Sequence, residues 1–97
     1  APLFAAAALD DHVLGAYRLG ETVMASVQID VPAGSGLLGK SVLDAEQALA
    51  AAVVGLRRAG QPASHKFARS ERLGPGDALI CHVAVDEIPA LKTRAAR

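Results

Sequence analysis

The segment Gly34-Ser35-Gly36-Leu37-Leu38-Gly39-Lys40-Ser41 fits the pattern G-x-x-x-x-G-K-S/T in full. In a loop of that kind, backbone N–H groups wrap phosphates, the lysine neutralises them and the hydroxyl holds magnesium. The apolar run Ala78 to Val85, ending in Asp86, imitates the strand whose aspartate would hold the metal. Gly34, Gly36 and Gly39 also have the spacing of a dinucleotide-binding turn. The surroundings oppose both chemistries. A phosphate loop follows a buried parallel strand, which should be nearly all apolar. Here the preceding run alternates, and Pro32 and Ala33 intervene. Only 56 residues follow Ser41, too few for several parallel βα units. The imitation metal strand has His82 at its centre. The second strand a dinucleotide fold needs would be Ala52 to Arg58, which ends in arginine rather than an acid. We therefore read the glycines as turns before a helix N-terminus, and keep a nucleotide hydrolase using Lys40 and Ser41 as the distant rival.

Other reactive side chains are sparse. Cys81 and His82 are neighbours on an apolar run, so a strand points them to opposite faces and they cannot form a nucleophile–base pair. Cys81 reads as a small core residue. His12, His65 and His82 are scattered and no second cysteine exists, so no metal site is expected. The acidic pairs Asp10-Asp11 and Asp86-Glu87 read as solvated helix-boundary charges. Arg57, Arg58, His65, Lys66, Arg69 and Arg72 fall within 16 residues, opposed locally only by Glu71. Arginine binds phosphate or carboxylate in bidentate fashion, so Arg57, Arg58, His65 and Arg69 are the candidate contacts for a small anion. The alternative is a solvated basic edge.

These residues need a scaffold. Residues 3–9 are alanine-rich and predict a short helix stopped by Asp10-Asp11. A strand from His12 to Leu19 and a turn at Gly20-Glu21 follow. From Thr22 to Val31 the chain alternates, with Val23, Ala25, Val27, Ile29 and Val31 on one face, which predicts a half-buried strand. Ser41 is the expected N-cap of a helix whose stripe is Val42, Leu43, Ala45, Ala48 and Leu49, with Asp44 near its positive end. Ala52 to Arg58 reads as a buried strand through Val53, Val54 and Leu56. Ser64 to Arg69 is a weak edge strand, and Leu73-Gly74-Pro75-Gly76-Asp77 a strong turn. A strand over Ala78–Val85 and a terminal helix over Asp86–Lys92, capped by Asp86, close the chain. The fold class is a small α+β domain with a mixed or antiparallel sheet and one or two helices packed on it.

With 97 residues the chain fits one domain, and 52% hydrophobic residues allow a core, built from aliphatics because aromatics are 3%. Domains of this size bury little surface alone, so self-association is a reasonable expectation. Net charge is zero, but residues 1–48 carry −4 and residues 49–97 carry +4. That division suits contacts between acidic and basic halves, or an anion site in the second half, and not a nucleic-acid binder. One cysteine fits a reducing compartment, no run approaches the length of a membrane span, and the apolar opening lacks the basic leader of a signal peptide. The start at Ala1 without methionine is read as processing or, in preference, as a piece cut from a longer protein.

The order of the turns is itself informative. Val27-Gln28-Ile29-Asp30-Val31-Pro32-Ala33-Gly34-Ser35-Gly36 leads into Leu37-Leu38-Gly39-Lys40-Ser41-Val42. Ala52-Val53-Val54-Gly55-Leu56-Arg57-Arg58-Ala59-Gly60 follows, and Leu73-Gly74-Pro75-Gly76-Asp77-Ala78-Leu79-Ile80 closes the series. Across residues 22–93 this resembles the C-terminal subdomain of the regulator-of-potassium-conductance family, the TrkA-C domain. Members show a strand, a Gly-Ser turn, a helix opening on Gly-Lys-Ser, a strand ending in Arg with a nearby Gly, and a Gly-Asp before the last strand. The resemblance implies that residues 1–21 are a connector from an upstream domain and 94–97 a tail. It implies a non-enzymatic, cytoplasmic, homodimeric module peripheral to a potassium or other cation channel or transporter, without cofactor. It further implies response to a small anionic ligand such as a nucleotide. Some members bind cyclic di-AMP at the dimer interface, but Gln47-Ala48-Leu49-Ala50-Ala51-Ala52 lacks the Arg and Asn such binders offer near this helix end. A purely structural dimerisation module remains the alternative.

Overall fold

Strict alternation makes Thr22–Asp30 a strand with one dry face (β2), and the hairpin turn at Gly20-Glu21 sends it back along β1, Val13–Leu19. Gly20 has φ 61, a conformation that the first position of a two-residue hairpin turn demands and that side chains resist. After β2 come helix α1 (Val42–Leu49), β3 (Ala52–Arg57), β4 (Ala78–Ala84), a 3-10 turn at Val85–Glu87 and helix α2 (Ile88–Ala95). This is a computed structural model, and it describes residues 13–96; the helix expected at residues 3–9 lies outside them.

The sheet runs β1-β2-β4-β3 with every neighbour antiparallel, so of the two expected sheet types it is the antiparallel one. Because β2 and β3 each run against β4, they are parallel to each other, and β2-α1-β3 is a βαβ unit split by β4. β4 is central, and its sequence explains why: Ala78, Leu79, Ile80 and Cys81 are consecutive and all buried. Register places Ala25 beside Val83, Val27 beside Cys81 and Ile29 beside Leu79, with Val53 and Leu56 completing the row from β3. These side chains meet Val42, Ala45 and Leu49 of α1 and Ile88 and Leu91 of α2 in one core. Burying each of Leu49, Leu79 and Leu91 contributes about 2 kcal/mol. Gly55 lets β3 pack closely on β4: a Cβ there would sit 3.1 Å from Cγ1 of Ile80, which would have to shift by a few tenths of an ångström.

Four expectations are corrected. The buried stripe of α1 is Val42, Ala45 and Leu49; Leu43 and Ala48 face solvent, because at 100° per residue the stripe is too narrow to hold all five. Val54 is exposed because the register of β3 against β4 shifts between Val53 and Gly55. Ser64 to Arg69 is not a strand: one bridge joins Ser64 to Leu56, and the polar chain beyond it finds no ladder. Finally, Asp86 does not cap the last helix; it lies in the 3-10 turn, and the helix begins at Ile88 with Pro89 in its first turn, where a missing N–H costs nothing. β1, within the segment read as connector, is a member of the sheet.

Candidate functional site

The glycine-rich segment folds as successive tight turns in which the N–H groups of Ser35, Leu37, Leu38, Gly39 and Lys40 already donate within the chain. Ser35 N–H donates to the Pro32 carbonyl (3.0 Å), Leu38 N–H to Ser35 (3.2 Å) and Lys40 N–H to Leu37 (3.1 Å). Leu37 N–H donates to the Ser35 hydroxyl (3.1 Å), and Gly39 N–H crosses to the Leu73 carbonyl (2.9 Å). The first N–H groups of α1, where an anion would sit, are occupied as well. Val42 donates to the Glu71 carbonyl (2.9 Å), Leu43 to Arg69 (3.0 Å) and Asp44 to the Ser41 hydroxyl (3.1 Å). Ser41 is therefore the expected N-cap, and its hydroxyl is spent there. With these donors turned inward, and β2 in an antiparallel sheet, the segment is a corner between sheet and helix.

The chain 69–77 holds that corner, and Asp77 is its centre. The residue is 5% exposed, and its carboxylate accepts from Ala59 N–H (2.9 Å), Gly74 N–H (2.8 Å) and the Arg58 guanidinium (2.7 Å). Its backbone joins the same knot: Val31 N–H donates to the Asp77 carbonyl, and Gly76 N–H to the Val31 carbonyl. Burial pushes the Asp77 carboxyl up, but the bonds from Gly74, Ala59 and Arg58 outweigh it and hold the pKa below its ordinary value. Arg58 also donates to the Glu71 carboxylate (3.0 Å) and the Arg72 carbonyl (2.7 Å), while Arg72 reaches the Gly39 carbonyl (2.7 Å). The Arg58 bond, then the Ala68 N–H, lower the Glu71 pKa. Bonds to Glu71 and Asp77 in turn raise that of Arg58.

The four basic candidates are thus divided. Arg58 is consumed by the corner. Arg69 pairs with Glu46, whose other oxygen accepts Val53 N–H (2.8 Å), tying α1 to β3. Arg57 leaves β3 on the other sheet face, where it and Asp30 flank small Ala78 and approach to 3.8 Å, a partly exposed pair of little energetic weight. His65 is exposed in the loop between β3 and β4. The cluster is contiguous in sequence but not one site in space, because acids from β2, α1 and the Gly74–Asp77 turn draw its members apart.

A concave site lies elsewhere, at the C-terminal end of α1. A cleft of about 440 Å³ opens between Ala50–Ala52, Met24, His82, Glu87 and Arg94. Arg94 donates to the Leu49 carbonyl (3.3 Å), so a cation lies at the negative helix end. The Tyr17 hydroxyl meets His82 Nδ1 (3.2 Å) on the sheet face that the helices leave open. Cys81 points the other way, fully buried, and burial followed by the charge of Glu46 pushes its thiol up to about 12. Among the described residues there is no cluster of potential metal ligands, and no helix is long and apolar enough to cross a membrane.

Sequence reasoning missed Asp77 as a keystone, though a buried acid following Gly-Pro-Gly could have been sought opposite the arginines. It also misses Arg94, which falls in the expected tail and belongs to no motif. Neither a family model nor a curated protein matches the chain.

Proposed function

We propose that this chain is a dimerising, ligand-responsive regulatory domain of a potassium or other cation transport system, of the TrkA-C kind. It would act on the cytoplasmic side against a membrane channel or transporter. The supporting observation is that the segments carrying the resemblance converge on one architectural corner. Gly39-Lys40-Ser41 starts α1, Arg58 follows β3, and Gly74-Pro75-Gly76-Asp77 receives Arg58 before β4. Motifs that work as architecture suit a binding module better than a phosphate-transferring enzyme. Within this reading the cleft beside the end of α1 takes the small anion. Its volume is within the usual range for small-molecule sites, and Arg94 and His82 supply donors. Binding there would bias a two-state assembly through the domain's contacts.

Melting curves recorded with cyclic dinucleotides and adenine nucleotides test this. A ligand at 100 times its Kd stabilises by about 2.7 kcal/mol, a clear rise in Tm, and Arg94→Ala removes it. A full series of nucleotides without effect on Tm or titration heat leaves the second reading, a structural dimerisation module. That reading is favoured by the internal engagement of Arg58 and Arg69.

A further inference from the structure

The sheet's two edges are treated differently. Outside β3 the chain returns to bridge Leu56 with Ser64, both backbone bonds being 2.9 Å. Outside β1 the described residues provide no strand, since β1 ends the order β1-β2-β4-β3. β1 is also little covered: every residue from Leu14 to Leu19 is exposed. Leu14 (55%), Tyr17 (43%) and Leu19 (63%) stand among the exposed large hydrophobic residues of the described chain. Natural edges are blunted by proline, charge or cover. This one has no proline, one charge at Arg18, and a bulge confined to the Val13–Gly15 end.

We propose that the outer edge of β1, unpaired among the described residues, pairs antiparallel with β1 of a second copy, joining two four-stranded sheets into one of eight strands. This deepens the dimerising part of the reading above and rests on it. The two-residue turn makes Leu19 and Thr22 a hydrogen-bonded pair, so Tyr17 and Gly15 also bond inward to β2. Ala16 and Arg18 then direct their N–H and C=O groups outward. A two-fold axis through Ala16 sets Ala16 against Ala16. It sets Tyr17 against Gly15, where nothing lies within 4 Å of an added Cβ, and Arg18 against Leu14, so no like charges oppose each other. A second copy is the occupant because this strand satisfies itself on those three counts.

Sedimentation velocity of the full chain tests it, with Ala16→Pro as the probe. Proline removes an outward N–H that β2 does not use, which an edge strand tolerates. It deletes one bond on each side of the axis and should weaken the dimer about 30-fold or more. Leu19→Lys, which leaves the backbone intact, should weaken it as well and covers the case in which the proline variant unfolds. Ala16→Cys should form an intermolecular disulfide, since directly opposed hydrogen-bonded residues have Cα atoms about 5.5 Å apart, with Cys81 buried out of reach. A dimer unaffected by folded Ala16→Pro and by Leu19→Lys overturns the edge pairing alone. A monomeric wild type overturns the dimerising reading with it.

Discussion

Replacing Asp77 by Asn should remove about 2–3 kcal/mol of stability. The substitution keeps shape and changes only what the two oxygens can accept. With the amide oxygen turned to Gly74 and Arg58, the amide nitrogen faces Ala59 N–H, which now donates to Oδ1 at 2.9 Å. Two donors then face each other, and an orphaned backbone donor costs about 1–3 kcal/mol; the lower half applies, since Ala59 is near solvent. Arg58 keeps Glu71 but loses the more buried of its two ionic partners, worth about 1 kcal/mol after allowing for its 38% exposed side chain. In urea, with a slope near 1 kcal/mol per molar for a domain of this size, the midpoint should fall by roughly 2–3 M. The pH dependence gives a second readout. The folded pKa of Asp77 is depressed, so its contribution is whole above about 4 and is lost as pH falls through the folded value. The difference between wild type and Asp77→Asn should therefore narrow in acid. A loss under about 0.5 kcal/mol at neutral pH, or a difference that does not narrow below about pH 4, refutes the keystone argument.

Ala50 closes α1 at φ 53, a left-handed conformation that costs an L-residue about 1 kcal/mol, so Ala50→Gly should raise the urea-derived stability by roughly that amount. Ser41→Ala deletes the hydroxyl that accepts Asp44 N–H and should cost about 1 kcal/mol by thermal melting. Cys81, buried and with its thiol pushed up to about 12, should resist an aromatic disulfide reagent at pH 8 and react at once in denaturing urea.

Much of the architecture was legible because β2 alternates, β4 opens on four consecutive apolar residues and Ser41 precedes a helical stripe. Periodicity reports burial directly, so Ala25, Val27 and Ile29 were placed correctly. It failed where a local irregularity reset the phase: the bulge at Val54, and the loop at Ser64 whose single bridge no pattern encodes. The candidate site was less legible. Six basic residues adjacent in sequence suggested a patch, but a salt bridge depends on what folds opposite. Asp77, Glu46 and Asp30 come from three other parts of the chain. The phosphate-loop pattern misleads for the same reason. It records glycines and a capping serine without recording that Leu73, Glu71 and Arg69 supply carbonyls to the N–H groups a nucleotide would need.

Amide spectra of the isotope-labelled chain titrated with magnesium–ATP test most directly whether residues 34–41 form a corner. The resonances of Ser35, Leu37, Leu38, Gly39 and Lys40 should stay in place, because their N–H groups already donate within the chain. Saturable shifts of those amides, abolished by Lys40→Ala, would show a phosphate cradle and contradict the assignment of this segment as a corner.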